Sequence, residues 1–256
     1  MKTPLDAPAE HIPASFPPPR ERIWEIDFLR GLAIILMVFY HAGYDLSEMC
    51  RIRRVLGIPI DIDGVFLRTA VPVVAGLFIV LCGISSSLTR SNIRRALKVL
   101  AVAALVTLAT FFFDRASTVH FGILHCLGTS ILIYGLTLEK AKPWLGAAAG
   151  AAVLVLSAAL PRILEGVPIR FNWLLPLGIT NGRYFTVDYF PLLPWLGVFL
   201  IGTALGKWLY PAKASLIKIK LPRTFINIAG RHSLLIYVVH QPIILGILYT
   251  LGLVRM

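Results

Sequence analysis

Residues 27–46 read DFLRGLAIILMVFYHAGYDL, an apolar run of membrane-spanning length that nevertheless carries Asp27, Arg30, His41 and Asp45. On a helix turning about 100° per residue, the step from Arg30 to His41 brings the two within roughly 20° of one face, and Asp27 and Asp45 fall within roughly 40° of His41. Ionisable groups are costly in a spanning helix and face a bundle interior or a wet cavity. The shared stripe is therefore expected to line a functional passage.

The rest of the chain is nearly as apolar. Of its 256 residues 57% are hydrophobic and only 15% charged, and mean hydropathy is +0.78, which excludes an ordinary soluble domain. The expected fold is all-α, a polytopic transmembrane bundle of about seven spans. Net charge +12 does not make a nucleic-acid binder, because the basic residues sit between apolar runs, where they set topology and meet lipid headgroups. Cys50, Cys82 and Cys126 are scattered, form no CxxC pair and are expected to serve packing. Residues 1–20 lack the apolar core of a cleavable signal, leaving the first span as the membrane address.

Taken in order, residues 1–22 hold Pro13, Pro17, Pro18 and Pro19 and are expected to form a disordered cytoplasmic tail. Residues 23–256 are the transmembrane domain. After the first span come a polar connection (47–68) and a second span (69–88), broken by Pro72 and ending in the small-residue sequence GISSSL. Further spans are expected at 96–113, 121–138, 144–160, 189–209 and 231–251. The connection 161–188 contains FNWLLPLGI, too short to span and read as an interfacial or re-entrant lid. A linker with Lys213, Lys218, Lys220 and Arg223 precedes the last span, which contains YVVHQP. With the N-terminus inside, sixteen of the 25 Lys and Arg lie on the cytoplasmic side, the orientation that the positive-inside rule favours.

Several polar residues are candidates for chemistry. Asp45 lies one turn beyond His41, so its carboxylate is placed to accept from one imidazole nitrogen and leave the other as a base. The plainer readings are a helix–helix hydrogen bond for His41 and an end cap for Asp45. Arg30, roughly 16 Å below His41 at 1.5 Å per residue, is either a snorkelling anchor paired with Asp27 or a phosphate ligand. An anion site that far from a base suggests a long substrate, anionic at one end and reactive at the other, as in a CoA thioester. Tyr44, His125, Asp188, His240 and Gln241 are further cavity-lining candidates, with interhelical bonding the alternative for His240 and Gln241 and an N-cap the alternative for Asp188. His120 and His125 stand five apart, without the spacing of a zinc pair, and no metal is expected. No GxSxG elbow, P-loop or dinucleotide fingerprint is present.

Five blocks carry a resemblance: RIWEIDFLRGLAIILMVFYHAGYDL, AVPVVAGLFIVLCGISSSL, HFGILHCLG, DYFPLLPWLGVFLIGTALGKWLY and GRHSLLIYVVHQP. In this order they resemble the bacterial membrane proteins of the heparan-alpha-glucosaminide N-acetyltransferase catalytic-domain family, over residues 22–251. The spacing of Arg30 and His41 is also similar to that of the integral membrane acyltransferases that decorate surface polysaccharides. The resemblance implies acetyl-CoA as a donor entering from the cytoplasm, a saccharide amine or hydroxyl as extracytoplasmic acceptor, His41 as base and Arg30 at the donor mouth. It implies a multi-pass protein of a bacterial-type inner membrane, in contact with lipid and free to form a homo-oligomer. The chain lacks the large luminal domain and several spans of the lysosomal enzyme. Two rival readings are a proton-coupled transporter using the Arg30, His41 and Asp45 stripe, and a non-catalytic subunit whose polar residues hold helices together.

Overall fold

The computed structural model describes residues 22–55, 57–218 and 224–254. The tail expected from the sequence lies outside these residues, except for Arg22, as do Lys220 and Arg223 of the basic linker. The helices are α1 (Trp24–Glu48), α2 (Val65–Leu88), α3 (Asn92–Phe113), α4 (Ile123–Thr137), α5 (Pro143–Ile163), α6 (Leu192–Leu209), α7 (Phe225–Arg231) and α8 (Ser233–Thr250). Strands β1 (Arg54–Val55) and β2 (Ile58–Pro59) pair antiparallel in the α1–α2 connection. Among the described residues six helices are long and apolar enough to cross a membrane, and α4 is a shorter seventh apolar helix. The chain is thus a multi-pass helical membrane protein, as its apolar runs indicate.

Local chemistry sets the helix boundaries. Pro143 starts α5 at its first position, where the missing N–H costs nothing. Pro191 stands just ahead of α6. Large apolar side chains such as Phe39, Val65 and Phe112 remain exposed on the outside of the bundle, where lipid rather than water is their solvent. The core is built where α2, α3, α4 and α6 meet, on Ile79, Cys82, Ala96, Ile123, Leu127, Ile131, Tyr134, Phe199 and Leu200.

Helix α4 occupies the centre. Its fifteen residues extend about 22 Å, short of the roughly 30 Å hydrocarbon layer, so its unsatisfied ends must find partners inside the protein. One comes from just ahead of α6 and the other from its last turn. The Asp188 carboxylate accepts from the Ile123 N–H at 3.2 and 3.3 Å. Lys207 Nζ donates to the carbonyls of Leu138, Glu139 and Ala141 at 3.1, 2.9 and 2.6 Å and lies 5.5 Å from the Tyr134 ring centroid. The negative group meets the helix N-terminus and the positive group its C-terminus, each opposing the local end of the macrodipole.

One sequence expectation needs correction. The basic linker does not run unbroken to the last span, because residues 225–231 form α7, whose Thr224 cap accepts from the Asn227 N–H. Seven residues are too few to show a helical period. Gly31 and Gly230 let α7 lie directly on α1: a Cβ on Gly31 would come 1.9 Å from the Ile226 carbonyl oxygen, and one on Gly230 1.7 Å from that of Asp27. Residues 171–179, expected from the sequence to be an interfacial or re-entrant lid, carry no α-helix. They contain one short 3-10 turn, Leu175–Leu177, and Leu175 packs with Phe121, Cys126 and Leu192 over the start of α4.

Gly31→Ala is expected to lower stability by about 1–3 kcal/mol or more, seen as a lower thermal midpoint in detergent by circular dichroism. Gly246→Ala, where a Cβ meets nothing within 4 Å, should be neutral or stabilise by at most about 1 kcal/mol. Lys207→Met keeps the apolar stem but leaves three carbonyls without their donor. It should cost about 1.5–3 kcal/mol in the same assay.

Candidate functional site

The polar stripe of α1 divides into two clusters. At the lower end, where α1 begins, the Asp27 carboxylate is shared by Arg30 and Arg231, each at 3.3 Å. Arg30 Nη2 also donates to Ser85 Oγ at the end of α2. An open cleft of about 250 Å³ is lined here by Arg22, Asp27, Arg30, Ser85, Thr89 and Lys213. Beside it Arg95 donates to Ser86 Oγ and Cys82 Sγ.

The upper cluster joins α1 to α8. The rings of His41 and His240 lie 5.0 Å apart between centroids, with Tyr40 5.4 Å from His41 and Tyr44 6.3 Å from Tyr40. His240 Nδ1 is 2.6 Å from the Tyr237 carbonyl oxygen. A carbonyl only accepts, so the proton sits on Nδ1 and the Nε2 of neutral His240 carries a lone pair. That Nε2 is buried without a hydrogen-bond partner, as is Gln241 Oε1. Gln241 Nε2 donates to Asp45 Oδ2 at 2.8 Å, and Asp45 is only 3% exposed.

This geometry corrects the expected His41–Asp45 pairing. The two lie one turn apart on one face as the sequence requires, but the Gln241 amide reaches the carboxylate from α8 and the His41 ring lies beside His240, tilted by 55°. Nor is the stripe a continuous passage. Between Arg30 and His41 it is filled by Ile34, Met37 and Val38, of which Ile34 is buried.

The remaining candidates separate. Asp188 caps α4 rather than α6, and its Oδ2 accepts from Tyr237 Oη at 2.7 Å. A Cβ on Gly122 would stand 2.1 Å from that same oxygen, so only glycine admits the carboxylate. Burial pushes the Asp188 carboxyl above its usual range, and the bonds from Tyr237 and Ile123 oppose that shift. His125 is structural: Nδ1 accepts from the Gly122 N–H and Nε2 meets Thr107 Oγ1, each at 3.2 Å. It does not join His41. Tyr44 lines a second cleft, about 330 Å³, with Tyr40, Asp63, Leu67, Arg68 and Pro72, at the upper end of α1. Among the described residues no three His, Cys, Asp or Glu side chains converge as a metal site would require.

Sequence reading missed Ser85, Arg231 and Tyr237. Tyr237 stands three residues before His240, hence on its face, which was an available signal. Arg231 gave none, since its partner lies 204 positions away.

No match was found among curated proteins or among solved structures. A family model described as "Heparan-alpha-glucosaminide N-acetyltransferase, catalytic" matches residues 22–242, a stretch that contains both clefts, the imidazole pair and the α4 clamp. By that match the chain belongs to the heparan-alpha-glucosaminide N-acetyltransferase catalytic family and is a membrane protein of the transferase class.

Proposed function

We propose that this protein moves an acetyl group from cytoplasmic acetyl-CoA to an extracytoplasmic acceptor, a saccharide amine or hydroxyl, across one transmembrane domain formed by residues 23–256. The observation that carries the reading is the His41–His240 pair, set on α1 and α8 between a cationic cleft at one end of α1 and an aromatic cleft at the other. Family membership supports the chemistry, and acetyl-CoA is the family's general donor. The excess of Lys and Arg at the lower end supports a cytoplasmic N-terminus and an inner-membrane location.

In this reading Arg30, held by Asp27 and Ser85, receives the anionic end of the donor. Its planar fork of donors suits phosphate oxygens. The apolar stretch of Ile34, Met37 and Val38 keeps water from the thioester as it approaches the imidazoles. The acceptor nitrogen or oxygen attacks the acetyl carbonyl carbon, and the carbon–sulfur bond breaks. The proton leaving the acceptor passes to His41, the less buried member of the pair, and then to the departing thiolate. His240 stands behind His41 with its Nε2 lone pair fixed in place by the Tyr237 carbonyl, while Gln241 keeps Asp45 oriented beside them. The interrupted stripe does not provide the polar file that a proton-coupled transporter needs.

Three measurements test this on purified protein in lipid nanodiscs, with a glucosaminide acceptor and acetyl-CoA. His41→Ala should lower the transfer rate by roughly 10²–10⁴-fold while donor affinity stays within a factor of about two; retained transfer removes His41 as the base. His240→Ala should lower the rate without changing the thermal midpoint by more than the cost of one buried hydrogen bond, about 0.5–1.5 kcal/mol. Arg30→Ala should weaken CoA binding by roughly ten- to a hundredfold, and unchanged affinity would sink the phosphate role.

A further inference from the structure

The segment 211–218 leaves α6 and folds back over the start of α1 rather than passing straight to α7. Three bonds tie it there. The Leu216 N–H donates to Glu25 Oε1 at 2.7 Å, Ser215 Oγ donates to Glu25 Oε2, and Trp24 Nε1 donates to the Ile217 carbonyl at 3.2 Å. Tyr210 anchors the root of the segment among Ile26, Leu81 and Ile84. The result is a strap across the lower cleft.

The strap has one unusual residue. Lys213 adopts φ of +52°, the left-handed region that glycine or asparagine ordinarily fills, and its side chain lines the cleft with Arg22 and Arg30. A lysine held in that conformation by a tethered loop marks a constraint imposed by the surroundings, and such constraints cluster at ligand clamps. The charge balance points the same way. Glu25 is occupied by the strap, and Asp27 is divided between Arg30 and Arg231. Three cations therefore face the cleft against one shared carboxylate. Its volume of about 250 Å³ equals roughly eight waters at about 30 Å³ each, more than a single small ion fills.

We infer that the strap is a phosphate clamp, in which Lys213 joins Arg30 and Arg22 to bind a phosphate ester, with Trp24 and Glu25 setting its position. The inference rests on the reading that the acyl donor enters at this end, where the ester is the diphosphate of the donor; the headgroup of an anionic phospholipid offers the same chemistry.

The test uses the full chain in nanodiscs and the variant Lys213→Gly, which removes the ammonium while suiting the positive φ. In zwitterionic phosphatidylcholine discs, CoA and inorganic pyrophosphate should each bind the wild type, and Lys213→Gly should weaken both by roughly tenfold with an unchanged thermal midpoint. Trp24→Phe, which loosens the strap without touching the ligand, should weaken CoA in the same direction by less. If CoA binds wild type and Lys213→Gly equally, the clamp is overturned while the donor reading stands. If CoA fails to bind but pyrophosphate binds in a Lys213-dependent way, the clamp stands and the donor reading fails. In phosphatidylglycerol discs a thermal stabilisation that Lys213→Gly abolishes, without CoA or pyrophosphate binding in either disc, assigns the site to lipid. Absence of all three Lys213-dependent effects overturns the proposal.

Discussion

A helix too short to cross the membrane, placed at the centre of a bundle, must have both ends satisfied by other parts of the protein, and this structure is arranged around that requirement. A backbone N–H or C=O left unpaired away from water costs several kcal/mol. Asp188, just ahead of α6, and Lys207, in its last turn, meet the two ends of α4, which fixes α4 and α6 parallel and in register. Through the hydroxyl of Tyr237 the same Asp188 also holds α8. One turn along, the Tyr237 carbonyl fixes the tautomer of His240. The constraint that satisfies a structural helix therefore reaches His240, the imidazole beside the proposed base, in two steps.

The other fixed point is the crossing of α1 and α7. Backbones brought together at Gly31 and Gly230 place Arg231 where it takes half of the Asp27 carboxylate. Arg30 then keeps charge that Asp27 alone would have cancelled. In a region of reduced dielectric such an excess is tolerable only beside solvent or a counter-ion, and here it faces the open lower cleft. Packing at two glycines and the charge that Arg30 turns to the cleft are parts of one arrangement.

What the sequence disclosed follows from range. The apolar runs and their alternation made the helical bundle legible, and a 3.6-residue period put Asp27, Arg30, His41 and Asp45 on one protein-facing stripe, where the structure has them. Pairings between distant segments were invisible. His41 turns to His240 and Asp45 to Gln241, a helix 196 positions on, so the local rule that joins i to i+4 lost to a better-oriented partner. Helix α7 was hidden because seven residues carry no readable period. Asp188 was legible as a cap, but the helix it caps, α4, precedes it by 65 positions. The strap that carries Lys213 read as a basic linker, since positive φ at a lysine has no sequence signature.

Buried polar atoms without partners sharpen the distinction between structure and site. Among the described residues they are Asn92 Oδ1, Ser130 Oγ, Tyr134 Oη, Asn227 Oδ1, His240 Nε2 and Gln241 Oε1, each costing about 1–3 kcal/mol if it stays unmet. An orphan alone therefore identifies nothing, because four of the six lie away from the α1–α8 contact. His240 and Gln241 differ in being adjacent residues whose neighbours across α1 are His41 and Asp45, so that a lone pair, an amide oxygen, an imidazole and a carboxylate converge. Helix packing by itself would be served better by apolar side chains of similar volume. Polar groups retained at that cost, in an orientation tied through Tyr237 and Asp188 to α4, are what the proposed proton transfer at His41 asks of the site.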